Sequence, residues 1–372
     1  MSYQGRQKVY EYKNKSKAID LAEIKRILDF LYSIKCKHRL ALIPIVLNLG
    51  AGTYIDDKLS YILLECICHY LIQKEHCKLT LSFNCPHTIY NEGIKTSYLK
   101  NLNGTSQGTK QFIDHFERDI YQTHYRNIIK SEDFNGEQTA RTVQEIDSFL
   151  KLFSIQEKYR TNVSEIAGEL IDNSLEHSKS DCLIDIDVTT EYRKDDIESI
   201  GNLYRGINIV VLNFSEILFG DGIAEKIQDI QSSSDFNSES GSRYTKLINA
   251  KKYHSGFWNE SYSEEDFNII ASFQHKISRR IKKYSTGGTG LTQLVRGLEE
   301  ESDAYNCYLL SGTKKINFIK NMLSYDDDNW VGFNTANDFL TQIPDVQCIE
   351  KSKIFFPGTA FNLNFVMKLE VD

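Results

Sequence analysis

Apolar positions recur along this chain with two periods, and the changes between them mark out the elements. From Ser16 to Lys35 the residues Ile19, Leu21, Ile24, Ile27, Leu28 and Leu31 follow helical spacing, which predicts an amphipathic helix. Leu40 to Leu49 is a mostly apolar run ending in Gly50-Ala-Gly52, the pattern of a buried strand and a turn. Asp56 or Asp57 can cap a helix running to Gln73, and Lys78 to Phe83 reads as another strand. Strand, turn, helix and strand in that order predict a parallel crossover, so the N-terminal part is α/β.

Asn101 to Gly108 is a polar loop, and Thr109 to Lys130 has the composition of a helix. Asn135-Gly136 breaks the pattern, which divides the chain into an N-terminal domain over 1–138 and a second over 139–372. Thr139 to Tyr159 reads as a helix. Ser164 to Ser178 is the central one, with Ile166, Leu170, Ile171 and Leu175 on one face. Cys182 to Val188 and Ile207 to Asn213 read as strands. The stretch 231–242 is polar throughout and is expected to pack poorly and move. Asp266 to Tyr284 is amphipathic and ends in the basic residues Arg279, Arg280, Lys282 and Lys283. Ser285-Thr-Gly-Gly-Thr-Gly-Leu291 then opens a helical pattern reaching Glu299, and Phe355 to Val366 reads as a turn feeding an alternating strand. The fold class expected for the whole is α/β.

Composition narrows the function. The 372 residues are 41% hydrophobic and 26% charged, a balance that builds ordinary cores. A net charge of −7 argues against bulk nucleic-acid binding and against an anionic membrane surface. No apolar run is long enough to span a bilayer and the first residues lack the apolar core of a signal peptide, so a cytoplasmic location is expected. The 8 cysteines are expected to be reduced and mostly buried. Cys66, Cys68, His69, His76, Cys77, Cys85 and His87 invite a zinc reading. No Cys-x-x-Cys occurs, however, and Cys66 and Cys68 fall on opposite sides of a helix.

Three stretches carry chemistry. Glu169 and Asn173 lie four residues apart, on one side of the central helix. A carboxylate there can orient and deprotonate a water, and an amide oxygen is a hard ligand suited to Mg²⁺. The glycines of 285–291 let backbone amides approach a phosphate at an electropositive helix start. Thr359 stands at the start of the last strand. Taken singly, each has a plainer account: a solvated helix face, a tight turn, an ordinary strand.

Taken together and in this order, they resemble the GHKL (Bergerat-fold) ATPases, which include histidine kinases, DNA gyrase, a class of heat-shock chaperones, mismatch-repair ATPases and the anti-sigma serine kinases. Glu169-Leu-Ile-Asp-Asn173, followed by His177, resembles the family's N box. Gly287-Gly-Thr-Gly-Leu291 resembles its second glycine box, and Pro357-Gly-Thr-Ala-Phe361 the Gly-Thr element of its last sheet strand. The resemblance covers 140–372, and its N box looks most like that of the anti-sigma kinases and related bacterial ATP-binding proteins. It implies a Bergerat-type sandwich, a mixed sheet covered by helices, holding ATP and Mg²⁺. Glu169 would be the general base and Asn173 the Mg²⁺ ligand. Thr286, Gly287, Gly288, Thr289, Gly290 and Leu291 would wrap the phosphates, and Thr359 would help hold adenine. The segment 220–284 would be the lid.

The family's first glycine box, Asp-x-Gly-x-Gly, is altered here to Asn213-Phe-Ser215. Asn213 can still accept a hydrogen bond from an adenine amino group. Asp221 in Gly220-Asp-Gly222 is the alternative, further past the strand. In the N-terminal part, Ile45 to Asp56 with Leu79 to Phe83 weakly resembles a STAS domain, an anti-sigma-antagonist-like module. Such a domain implies a protein partner or a homodimer. Three functions stay open: an ATPase used as a lid-controlled switch in bacterial signalling or defence, a serine kinase of the anti-sigma type, and a non-hydrolysing nucleotide-binding scaffold.

Overall fold

A computed structural model describes residues 2–4, 7–84, 97–133, 137–192, 204–232, 239–277, 290–301 and 307–368. The first half contains β1 (Ser2–Gln4), β2 (Gln7–Lys13), β3 (Ala18–Ile19), α1 (Leu21–Lys35), β4 (Ile45–Ala51), β5 (Tyr54–Ile55), α2 (Lys58–Gln73) and β6 (Leu79–Asn84). Then come α3 (Ser106–Phe116), β7 (Arg118–Tyr121), β8 (His124–Ile129), α4 (Glu137–Lys151) and α5 (Glu157–Ser178). The remainder is β9 (Cys182–Tyr192), β10 (Tyr204–Phe214), α6 (Asp221–Ser232), α7 (Glu239–His254), α8 (Glu264–Ala271), α9 (Gly290–Glu301), β11 (Tyr308–Asn317) and β12 (Ile349–Lys368). The fold is mixed α/β, as the pattern implies. No described helix is long and apolar enough to cross a membrane.

The chain forms two compact units. The first holds 1–128 with the strand segments 185–192 and 205–210, and the second holds the rest. Residues 129–138 therefore belong to the second unit, and β9 and β10 contribute to both.

In the first unit a sheet of order β1-β2-β4-β6 pairs β2 with β4 and β4 with β6 in parallel. The crossovers run through α1 and α2, whose starts are fixed by caps. Asp20 accepts from the Glu23 amide at 2.8 Å, and Asp57 from the Ser60 amide at 2.7 Å. Ile24 and Ile27 of α1, Leu47 and Leu49 of β4, and Leu59 and Ile62 of α2 are buried. Each such side chain contributes about 1.5–3 kcal/mol relative to exposure.

The expected helix over Thr109–Lys130 is instead α3 followed by a hairpin. β7 and β8 pair antiparallel with Tyr121 opposite His124, and Gln122 has φ +49° in the turn. The β-rich run Ile120 to Ile129 favours strands once a partner is present. Strand order in this part is β7-β8-β9-β10.

In the second unit the strand order is β11-β12-β10-β9. The expected helix 139–159 breaks after Lys151, where Ser154 takes φ +55°, and α5 starts at Glu157, seven residues ahead of Ser164. Helices α4 and α5 approach so closely that a Cβ at Gly168 would lie 2.6 Å from Val143. A Cβ at Gly297 of α9 would likewise lie 2.9 Å from Ile166 of α5. The expected helix 266–284 ends at Ala271, where Gln274 turns to bond both the N–H and C=O of Val331. Residues 278–284 lie outside the described residues.

The polar run 231–242, expected to pack poorly, is described only at 231–232 and 239–242, where it is helical, and the described helices on either side bury Ile223, Ile227, Leu247, Phe267 and Ile270. These helices are short and amphipathic, and their apolar residues are spaced too widely to read as a core. Residues 233–238, the centre of the polar run, lie outside the described residues. The described cysteines are free thiols, five of them buried; burial pushes the Cys182 thiol up to about 12.

Candidate functional site

Helix α5 buries Val163, Ile166, Ala167, Leu170, Ile171 and Leu175, and so turns its polar side outward. Glu169, Asp172 and Asn173 on that side are half-buried. Thr139 of α4 donates to Asp172 at 2.6 Å, fixing one rim of this face. The helix ends at Lys179 in the left-handed conformation, φ +49°.

The end of α5 meets the end of β10 and the middle of β12 through Asn213, which is 2% exposed; Thr359, expected at the start of the last strand, lies midway along it. Its amide donates to the hydroxyls of Ser178 and Ser180, the latter at 3.1 Å. Its oxygen accepts from the Thr359 N–H at 2.9 Å. The Ser215 N–H donates to the Pro357 carbonyl at 3.2 Å, and its hydroxyl to the Ser178 carbonyl at 3.3 Å. Gly358 makes this approach possible. It has φ +108°, and a Cβ there would lie 2.3 Å from the Asn213 carbonyl oxygen. Ser311 donates to the Gly358 carbonyl at 2.6 Å and accepts from the Phe219 N–H at 2.9 Å, which holds the kink from behind.

Three of the stretches singled out in the sequence therefore meet: the end of the helix carrying Glu169 and Asn173, Asn213 to Ser215, and Pro357 to Thr359. Thr359 is half-buried. Gly290 is the first residue of α9, Leu291 follows it half-buried, and α9 packs on α5 at Gly297. Thr286, Gly287, Gly288 and Thr289 lie outside the described residues, as does the side chain of His177.

The donor set fits a Mg²⁺–polyphosphate in one part and a base less well in another. Glu169 and Asn173 offer a carboxylate and an amide on one half-exposed helix side, as Mg²⁺ with its waters requires. Asn213 offers little to an adenine amino group, because it is 2% exposed and turned toward Thr359 and two serines. It clamps the end of β10 to the end of α5 and to the kink in β12. Asp221 accepts from the Leu218 N–H at 2.8 Å beside the start of α6 and serves as a local turn residue.

A second polar constellation, not anticipated from the sequence, lies in the first unit. Asp185 of β9 contacts Lys58 at 2.8 Å, His124 at 2.8 Å and Arg126 at 2.6 Å. Asp187 also meets Lys58 and accepts from Asn208 at 2.8 Å. Arg126 pairs with Glu65, which accepts from Tyr61 at 2.7 Å and Ser97 at 3.1 Å. His124 reaches Asp119 at 3.0 Å with its other nitrogen. Burial works against the Asp185 charge, but Arg126, His124 and Lys58 outweigh it and hold its carboxyl well below the usual range. Burial also opposes the His124 charge, and Asp185 and Asp119 overcome it, raising the imidazole to about 9. Asp187 is pushed up, chiefly by burial. A small cavity opens beside the cluster, walled by Tyr98, Phe112 and Phe116.

The sequence holds a faint trace of this cluster. Asp185 and Asp187 alternate with Ile184, Ile186 and Val188, and Lys58 and Glu65 stand two helical turns apart. Such alternation ordinarily means a solvated strand face.

Among the described residues no group of three or more His, Cys, Asp or Glu side chains could hold a metal ion. Cys85 and His87 lie outside the described residues. No protein-family model, curated protein or solved structure matches the chain.

Proposed function

We propose that the second unit binds Mg²⁺-ATP and hydrolyses it, and that the nucleotide state sets the conformation of the lid segment 220–284. One observation carries this reading: Asn213 draws the end of α5, the end of β10 and the kink at Gly358-Thr359 into a single hydrogen-bonded junction. The Glu169–Asn173 face leads into that junction. The start of α9, which the glycine-rich turn precedes, belongs to a helix packed on α5.

In this reading Glu169 orients a water and takes its proton as the water attacks. The Asn173 oxygen would be the protein's ligand to Mg²⁺, and the ion would supply neutralisation of phosphate charge. The start of α9 at Gly290 would offer phosphates the positive end of its dipole. Thr359, whose N–H is held by Asn213, would help hold the base. Turnover of Mg²⁺-ATP by the purified chain, with Glu169→Ala beside it, tests the assignment. Binding retained with turnover lost is expected, and unchanged turnover would remove Glu169 from the role of base.

A second reading draws on the Asn213 clamp itself. Asn213 is buried among its partners, so adenine recognition is weakened, and a scaffold that binds nucleotide without turnover becomes the competitor. Wild-type binding with no hydrolysis, alone or with a protein partner, would favour it.

A further inference from the structure

The buried ionic cluster plays no part in the proposed reaction, and its placement is unusual. On β9 the apolar residues Ile186 and Val188 alternate with Asp185 and Asp187, yet both sets are buried. β10 repeats this, with Asn208 between Ile207 and Ile209. The polar face of these strands, with His124 and Arg126 of β8, is covered by α2 through Lys58, Tyr61 and Glu65. These three positions fall on one helical stripe. Ile62 lies on the edge of that stripe, and Leu59, Leu63, Leu64 and Leu71 are buried on the other sides of the helix.

Helix α2 is thus held to β8 and β9 by ions. Each charge in the contact has an opposite one against it, so none is left over to bind substrate. A contact of this kind is specific in register but weak in net energy. The closed state strips water from every ion, separation restores it, and apolar residues in the same places often hold as well or better. A permanent seat for a helix has no need of this construction. A seat that must open does, because the parted faces are both soluble.

We infer that the Lys58–Asp185–Arg126–Glu65 cluster is a releasable dock, from which α2 lifts off β8 and β9 as an intact helix without global unfolding. His124 is its most titratable pin. It is faced by Asp119 from β7, Asp185 from β9, Arg126 on its own strand, and Lys58, Tyr61 and Glu65 from α2, while His115 stands 3.4 Å from Asp119. Loss of the His124 proton leaves Asp119 and Asp185 without the cation between them and loosens the dock.

Lys58 reports the opening, since its side chain is 5% exposed while docked. The full-length chain is treated with an amine-reactive acylating reagent, and modification is followed residue by residue by mass spectrometry. Exposed Lys25 supplies the intrinsic rate. Backbone hydrogen exchange of α2 and the global unfolding rate are measured in parallel. Lys58 is expected to react at least about tenfold faster than the chain unfolds, with α2 amides still protected. Relative to Lys25, its rate should rise more than about tenfold between pH 7 and pH 9.5. His124→Gln should give a similar rise at pH 7. Reaction of Lys58 only at the global unfolding rate would overturn the dock. So would loss of α2 amide protection in step with Lys58, which would mean melting instead of lift-off. Because the decisive comparison is made on the wild type, a variant that fails to fold leaves the result intact.

Discussion

The junction at Asn213 and the cluster at Asp185 are both buried polar constructions, built to opposite ends. Around Asn213 the bonds are between neutral groups. They fix three chain segments and leave the nearby Glu169, Asn173 and Thr359 half-exposed. Around Asp185 the groups are charged, and they are spent on one another. Charge in the one place closes a contact, and in the other a rigid neutral frame holds a few polar groups at the edge of solvent, where the proposed site lies.

The comparison breaks most sharply at Asp185. Asp185→Ala leaves Lys58, His124 and Arg126 facing a hole, and loss of about 3–5 kcal/mol is expected in urea unfolding. An equal loss from Lys25→Ala would contradict this. That residue pairs with Asp29 where both are more than half exposed, and less than about 0.5 kcal/mol is expected.

On the other side, Glu169→Ala should lower turnover about 10²–10⁴-fold while ATP binding persists, measured by phosphate release and by calorimetry. Gly358→Ala should cost about 1–3 kcal/mol or more. Its Cβ would strike the Asn213 carbonyl at 2.3 Å, so ATP affinity should fall with it if the junction frames the site.

The pH dependence separates the two regions again. His124 is raised from 6.5 to about 9, so its contribution is complete below 6.5 and is lost as pH rises through 9. Asp185 is depressed, so its contribution is present above the ordinary carboxylate range and is lost as pH falls below it. Thermal stability should therefore sag on the alkaline side in the wild type, by about 2–3 kcal/mol near pH 10, and His124→Gln should flatten that limb.

Much of this architecture was legible from residue patterns. The β4–α2–β6 crossover follows from an apolar run, an Asp cap and a second apolar run, and α5 from its stripe at Ile166, Leu170, Ile171 and Leu175. The β7–β8 hairpin was not legible, because its loop residues Gln122 and Thr123 carry no turn signature and the strands gain their stability from β9. The junction was foreshadowed by its pieces, but the role of Asn213 was not. Whether an amide faces a ligand or a neighbouring strand depends on the Gly358 kink, 145 residues further along the chain. The dock was hidden for a related reason: a strand with one charged face looks solvated until a helix bearing the complementary charges is laid upon it.

The most direct test of the central claim is Mg²⁺-ATP hydrolysis by the purified full-length chain, wild type and Glu169→Ala in parallel, with nucleotide binding measured on both. The account predicts turnover in the wild type, its loss in the variant and binding in each. Turnover that survives Glu169→Ala, or a wild type that neither binds nor hydrolyses ATP, would contradict it.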